Sequence, residues 1–364
     1  MRAISPNQSH YPALDGLRGV AILLVVFLHN FGFTNYFFFG WLGVDLFFVL
    51  SGFLITNILM NSLGKPGFLR NFFVRRVLRI FPLYYFTLII CLLVFPHLKS
   101  WNFDFSYYTD HQLWLWTYLQ NWLYTFNPPH GTQILLHFWS LGVEEQFYIV
   151  WPFIILFVRR PKILLAIVTA ILIIVGVARY LLWIYDIKDL AYASLYTFTR
   201  IDGICVGCMI ALILRINSRI FKKYISLIVF FLAAVNFGFY FLNHKHSFTL
   251  PYLAFVGYTT IAMLFGILVF EVVEGNSKII SFFLGNRFLR FFGSISYGLY
   301  VFHWPINLVL IPYLKNVLNK QMMFSASISE TGSAVIATIV AILISVISYR
   351  YFESYFLRLK SRFV

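Results

Sequence analysis

Residues 13–31 read ALDGLRGVAILLVVFLHNF, an apolar stretch that contains one arginine and one histidine. A helix needs about 20 mostly apolar residues to cross the hydrocarbon core of a bilayer. Stretches of similar length and hydropathy recur along the whole chain and are separated by short polar connections. This pattern predicts an all-α integral membrane protein whose first transmembrane helix carries ionisable side chains.

The composition also indicates a membrane protein. Of 364 residues, 60% are hydrophobic and only 11% are charged, whereas soluble domains carry about 25% charged residues. The N-terminal segment lacks the cleavage site of a signal peptide, so we expect no cleaved leader. Cys91, Cys205 and Cys208 lie inside apolar segments, which favours buried hydrophobic roles over a disulfide framework or a metal site. We therefore expect a single membrane domain, residues 1–364, without a metal.

A bundle of about ten transmembrane helices is predicted, with both termini in the cytoplasm. If the N-terminus is cytoplasmic, the segments on the inner side hold twenty of the 28 lysines and arginines, as the positive-inside rule requires. The basic residues in the cytoplasmic segments beside the lipid bilayer then account for the net charge of +15. We therefore expect no nucleic-acid partner. The predicted spans are residues 13–31, 41–60, 80–97, 134–158, 163–184, 199–214, 224–242, 251–270, 291–312 and 333–353.

Ionisable residues inside these spans are the first candidates for function, because a charge at the centre of a membrane helix costs at least about 2.5 kcal/mol. Arg18 and His29 are three helical turns apart, so they share one face and are separated by about 16 Å along the axis. Asp15 lies near the same face. Arg18 could orient an anionic or carbonyl group, and His29 could act as a general base or an acyl carrier. The alternative is a snorkelling arginine and a histidine bonded to a neighbouring helix.

A basic segment before the third span contains Arg75, Arg76 and Arg79. We expect it to form a cytoplasmic loop, where Arg76 and Arg79 can face the same ligand because they are three residues apart. Guanidinium groups bind phosphate through forked, charge-assisted hydrogen bonds. Basic residues in a cytoplasmic loop can instead act as topology signals or contact lipid headgroups, and the residues alone leave that alternative open.

The fourth span carries a polar stripe of His137, Ser140, Glu144 and Tyr148, which are three or four residues apart. Its neighbour Glu145 points about 100° away, so Glu144 is the carboxylate predicted to face a site. It could orient a histidine or take the proton of an acceptor hydroxyl. The alternative is a structural ion pair with an intramembrane arginine, Arg179 or Arg200.

Among the remaining intramembrane residues, Asp45 and His303 are predicted to line a cavity, whereas Asp202 and Glu353 are assigned to structural ion pairs. The sequence contains neither a Gly-rich phosphate loop ending in Lys-Ser or Lys-Thr nor a His-Glu-x-x-His pair. A Gly-x-Ser-x-Gly nucleophile motif is also absent. Nucleotide-driven transport and ordinary hydrolase chemistry are therefore unsupported.

Five ordered motifs resemble those of the acyltransferase-3 membrane family, and the resemblance covers nearly the whole chain. The motifs are residues 14–19 followed by His29, residues 43–53, Arg76-x-x-Arg79, residues 138–148, and residues 296–300 followed by residues 303–305. The resemblance implies transfer of an acyl group, acetyl by default, from cytoplasmic acyl-CoA to a hydroxyl of an envelope or secreted carbohydrate in the bacterial inner membrane.

The same resemblance implies roles for individual residues. It places Arg76 and Arg79 at the acyl-CoA, with Arg75 beside them, and makes Arg18 and His29 essential to transfer. Some family members append a secreted SGNH hydrolase domain. This sequence ends at Val364, eleven residues past Glu353, so we expect it to lack that domain and either to act alone or to hand the acyl group to a separate partner. A polytopic transporter is the rival interpretation. It predicts inverted repeats, and the Arg18 and His29 pattern does not recur in the second half.

Overall fold

The computed structural model describes residues 11–34, 36–97, 104–185, 190–242, 257–275, 277–320, 323 and 325–363. All regular secondary structure in these residues is helical. Short 3-10 and π-helical turns extend or join the main helices. The α-helices are α1 (Pro12–Phe31), α2 (Leu42–Ser62), α3 (Phe68–Ile89), α4 (Ser106–Asp110), α5 (Gln112–Trp116), α6 (Gln120–Phe126), α7 (Trp139–Val158), α8 (Pro161–Ile184), α9 (Leu190–Ser194), α10 (Thr197–Arg200), α11 (Asp202–Ile216), α12 (Ser218–Leu242), α13 (Tyr258–Glu274), α14 (Lys278–Leu284), α15 (Arg287–Lys320), α16 (Ala326–Ile347) and α17 (Ser354–Leu359).

The predicted all-α membrane bundle is confirmed, with a smaller number of full-length spans. Eight helical segments of the described residues are long and apolar enough to cross a membrane, or nine if α13 and α14 form one bent span. A helix coincides with each of the ten predicted spans, but α11 has only 15 residues and α13 only 17. The start of the predicted eighth span, residues 251–256, lies outside the described residues.

The short helix α11 is surrounded by protein. Eleven of its 15 residues are buried, and it packs against α2, α8 and α13. A helix enclosed by other helices has little contact with lipid, so its length need not match the hydrocarbon thickness. Hydropathy cannot distinguish such a helix from a lipid-facing span, which explains the larger number of spans predicted from the sequence.

The predicted cytoplasmic loop before the third span is wrong, because α3 already begins at Phe68. Arg75, Arg76 and Arg79 are therefore helical residues near the start of a membrane span that extends to His97. Basic side chains lower the local hydropathy, so a prediction based on hydropathy starts the span too late. Helical geometry holds the three side chains within about one turn of α3.

The helices α1 and α15 approach each other very closely. A Cβ atom on Gly19 would lie 2.0 Å from the carbonyl oxygen of Leu289, and one on Gly293 would lie 1.9 Å from the carbonyl oxygen of Asp15. Small residues allow such backbone contact, which is typical of helix pairs in membranes. This contact holds the polar face of α1 against α15.

We expect Gly19→Ala to destabilise the protein, because the new methyl group must push the two backbones apart. Overpacking of this kind costs about 1–3 kcal/mol. The matched control is Gly176→Ala in α8, where a Cβ would meet no atom within 4 Å and alanine has the higher helix propensity. Thermal unfolding of the purified variants in detergent measures the difference. Equal midpoints for the two variants would contradict the tight α1–α15 contact.

Candidate active site

Two cavities in the bundle share the side chains of Val44 and Tyr300 as lining residues. The first has a volume of about 410 Å³ and is lined by Arg18. The second has a volume of about 440 Å³ and is lined by His29. We call them the cationic cavity and the histidine cavity. Arg18 and His29 were predicted to share one face of α1. Arg18 lines the cationic cavity and His29 lines the histidine cavity.

The cationic cavity collects basic residues from three distant parts of the chain. It is lined by five cationic side chains and two carboxylates, namely Arg18, Arg75, Arg76, Arg79, Lys360, Asp15 and Glu144. The Arg76 guanidinium carbon also lies 5.3 Å from the centre of the Tyr148 ring. Positive charge therefore exceeds negative charge around this cavity, and its walls suit a polyanionic ligand.

Lys360 is a cavity residue that the sequence did not indicate. It follows α17, outside the predicted spans, and reaches the cationic cavity because the end of the chain packs against α3. Burial lowers the pKa of its ammonium group to about 7, and the positive charges of Arg79, Arg76, Arg75 and Arg18 act in the same direction. A bound anion would reverse this effect by favouring the charged lysine.

Glu144 lines the cationic cavity, whereas His29 lines the histidine cavity. The hydroxyl of Tyr148 donates to the Glu144 carboxylate at 3.1 Å, and the Ser51 hydroxyl is hydrogen-bonded to Tyr148. Glu144 rather than Glu145 lines the cavity, as its helical position predicts. The four-residue stripe is interrupted, because residues 136–138 form a 3-10 turn and α7 begins at Trp139.

The side chain bonded to His29 is His303 of α15. Nδ1 of His29 lies 2.7 Å from Nε2 of His303, and the two rings are nearly parallel. His303 is fully buried behind His29, so it supports the cavity wall instead of lining the cavity as predicted. His137 does line the histidine cavity, and its Nε2 lies 3.2 Å from the carbonyl oxygen of Val301.

Asp45, which was predicted to line a cavity, is engaged in a buried ion pair. Its carboxylate is buried and accepts a hydrogen bond from Arg200 at 2.5 Å, and it lines neither the cationic nor the histidine cavity. Arg179 and Asp202 form a second buried pair at 2.5 Å, as expected for Asp202. Each arginine is therefore paired with an aspartate, which leaves neither as the partner of Glu144.

Arg200, the partner of Asp45, lines the histidine cavity. Its guanidinium carbon lies 3.7 Å from the centre of the Tyr258 ring, which also lines that cavity. The position of Arg200 at a predicted helix end did not indicate that it lines a cavity. The buried salt bridge to Asp45 holds it against the aromatic wall.

The junction between the cavities is held by hydrogen bonds around Tyr300. Its hydroxyl donates to the carbonyl oxygen of His137 at 2.5 Å and is hydrogen-bonded to the Ser140 hydroxyl at 2.5 Å. Ser140 lines the cationic cavity, as predicted for a cavity residue. This network fixes the Tyr300 ring at the point where the two cavities meet.

Glu353, which was assigned to a structural ion pair, accepts a hydrogen bond from the Ser348 hydroxyl at 3.1 Å. Within the described ranges of the chain, no group of three or more His, Cys, Asp or Glu side chains could hold a metal ion.

Comparison with known proteins supports an acyltransferase. A family model described as an acyltransferase domain matches residues 11–350. The peptidoglycan O-acetyltransferase OatA of Listeria monocytogenes is 29% identical over 331 residues, which is 85% of this chain and 51% of OatA. YrhL of Bacillus subtilis, a provisionally assigned peptidoglycan O-acetyltransferase, is 29% identical over 373 residues, or 95% of this chain and 55% of YrhL.

This chain spans about half the length of these curated relatives. No solved structure matches it. The family match covers both cavities and every helix that contributes a catalytic candidate, except for the final turn that carries Lys360. The chain belongs to the acyltransferase-3 family of membrane acyltransferases.

Proposed function

We propose that this protein transfers an acyl group, with acetyl the first candidate, from cytoplasmic acyl-CoA to a hydroxyl of an envelope carbohydrate in the bacterial inner membrane. The observation that carries this proposal is the meeting of the cationic and histidine cavities at Val44 and Tyr300. One cavity suits a polyanionic donor, and the other presents a histidine. The reacting groups can then meet at the junction.

The donor half of the proposal rests on the charge of the cationic cavity. Coenzyme A carries a pyrophosphate and a 3′-phosphate, and arginine binds such groups through charge-assisted hydrogen bonds. Arg76 and Arg79, with Arg75 beside them, are assigned to these phosphates. The pantetheine arm then extends past Arg18 towards Tyr300, which brings the thioester to the junction. Since basic residues predominate in the segments assigned to the cytoplasm, this cavity faces the cytoplasmic donor.

The acceptor half rests on the lining of the histidine cavity. Trp41, Trp139 and Trp304 line it together with the polar side chains of Gln133 and Arg200. Aromatic walls with a few placed polar groups are typical of small-molecule sites, and flat rings suit the C–H faces of a sugar. Two relatives are named as peptidoglycan O-acetyltransferases, so peptidoglycan is the first acceptor to test.

In the proposed reaction the acceptor hydroxyl oxygen attacks the thioester carbonyl carbon. The new C–O bond forms as the C–S bond breaks, the hydroxyl proton passes to His29, and His29 then returns it to the thiolate of coenzyme A. Arg18 orients the donor. The alternative sequence, in which the His29 imidazole first takes the acyl group and then passes it to the hydroxyl, uses the same residues and releases the same products.

The double variant Arg76→Gln/Arg79→Gln is expected to weaken binding of coenzyme A by at least about 100-fold, since each lost charged hydrogen bond contributes about 1.5–3 kcal/mol. Titration calorimetry on purified protein gives the affinity. Arg70→Gln is the matched control, because Arg70 lies on the same helix but outside the lining of the cationic cavity. An equal loss in both proteins would assign the effect to general surface charge and contradict the donor site.

His29→Ala is expected to reduce acyl transfer from radiolabelled acetyl-CoA by about 100-fold or more, which is the usual contribution of a general base. Binding of coenzyme A should be retained, because His29 lines the other cavity. Retained turnover would contradict the proposed role of His29. Label held on wild-type protein without release to a saccharide would instead favour an acyl carrier that serves a separate partner.

The affinity for acetyl-CoA is expected to fall between pH 7 and pH 9. Free Lys360 loses its proton above a pKa of about 7, whereas bound phosphate favours the charged lysine, so binding takes up a proton in this range. The slope should approach a tenfold loss per pH unit at most, and Lys360→Met should flatten it. Binding curves at several pH values test this, with the exposed Lys162→Met as control. An unchanged slope in Lys360→Met would exclude Lys360 as the titrating group.

A further inference from the structure

We infer that His303 is a positioning residue that sets the proton position on His29, so that His29 presents an unprotonated Nε2 to the histidine cavity. The catalytic consequence rests on the proposed function. The hydrogen-bonding assignment itself depends only on the contacts of the two rings. It also decides which nitrogen of His29 receives the acceptor proton.

The assignment begins at the buried side of His303. Its Nδ1 lies 2.8 Å from the carbonyl oxygen of Tyr300 and 3.0 Å from that of Leu299. A backbone carbonyl can only accept a hydrogen bond, so Nδ1 must carry a proton. A neutral imidazole has one donor and one acceptor nitrogen. Nε2 of His303 is therefore an acceptor.

The next step follows from the contact between the two rings. Nδ1 of His29 is 2.7 Å from Nε2 of His303, so Nδ1 must donate the hydrogen bond. The remaining nitrogen of a neutral His29, Nε2, then has a free lone pair. His29 is only partly buried and lines the histidine cavity. That lone pair is available to a hydroxyl in the cavity.

The surroundings favour a neutral pair before reaction. The ring of His137 is 5.4 Å from that of His303, Trp304 packs on His29 at 4.6 Å, and the cationic Arg200 lines the same cavity. No carboxylate is among the described side chains that line this cavity. A buried imidazolium without a negative partner is costly, so neither ring is expected to hold an extra proton at rest.

The same hydrogen bond has a different effect once His29 accepts a proton. The Nδ1–H group then belongs to an imidazolium, and its hydrogen bond to His303 becomes charge-assisted. An aspartate in this position would orient the ring and also stabilise the cation strongly. A neutral histidine orients it with less stabilisation of the cation, which favours return of the proton to the leaving thiolate.

The test compares two substitutions of His303 with a control in the same helix pair. In His303→Gln the amide oxygen can still accept from His29, whereas His303→Leu removes the acceptor. The control is Asn307→Leu. Asn307 lies one turn further along α15 and donates to Asn30 of α1, so its loss also removes a buried hydrogen bond between these helices. It lines neither the cationic nor the histidine cavity.

We expect His303→Leu to lower kcat for acyl transfer by about 100-fold or more, with the KM for acetyl-CoA changed less than threefold. His303→Gln should stay within about tenfold of wild type, and Asn307→Leu within about threefold. Equal losses in His303→Leu and Asn307→Leu would assign the effect to helix packing and overturn the inference. A His303→Gln variant as inactive as His303→Leu would also overturn it.

A spectroscopic readout separates this inference from the proposed function. Nitrogen-15 NMR of protein with labelled histidine rings distinguishes the two neutral tautomers, and the His29→Ala variant assigns the His29 signals. We expect His29 to be protonated at Nδ1 in wild type and in His303→Gln, and to lose this preference in His303→Leu. An unchanged tautomer in His303→Leu would overturn the inference. A wild-type protein without acyl transfer would refute the proposed function and leave this measurement informative.

Discussion

The close contact between α1 and α15 is the constraint on which the site depends. Gly19 and Gly293 let the two backbones touch, and the rings of His29 and His303 are hydrogen-bonded across the same pair of helices. Lipid offers no hydrophobic force to press membrane helices together, so packing and interhelical hydrogen bonds must hold them. The histidine pair is thus both a product of the contact and a part of what stabilises it.

The protein accommodates its intramembrane charges in two ways. Asp45 with Arg200 and Arg179 with Asp202 form closed ion pairs, in which each charge has a partner. The arginines of the cationic cavity are gathered around an open volume together with a lysine, and carboxylates are fewer there. Buried charges that gain a partner are far less costly than isolated ones. An anionic ligand can therefore balance this cavity, whereas the closed pairs have no need of one.

The separation of the cavities gives the proposed reaction a direction. The two cavities share only Val44 and Tyr300 as lining residues, so under the proposed function the thioester and the hydroxyl meet at that junction. Hydrogen bonds from Tyr300 to the segment that carries His137 and Ser140 hold the Tyr300 side chain at the junction. A soluble donor on one side of the membrane could then serve an acceptor on the other.

Much of this organisation follows from local sequence. The hydropathy pattern determined the helical membrane fold, and the spacing of Arg18 and His29 determined that they share one face, because both properties depend on residues within one helix. The helical position of Glu144 similarly predicted that it, rather than Glu145, lines a cavity. The motifs identified the family without reference to contacts between helices.

The partners of these residues were decided only by the tertiary structure. His303 is 274 residues from His29, Lys360 comes from the end of the chain, and Asp45 binds Arg200 instead of lining a cavity. Glu144, proposed from its sequence position to orient a histidine or to take a proton, lines the same cavity as the arginines. Such contacts depend on how each helix is rotated and where helices cross, which close packing between distant segments determines. Local periodicity specifies the face of a helix, and packing alone specifies what that face meets.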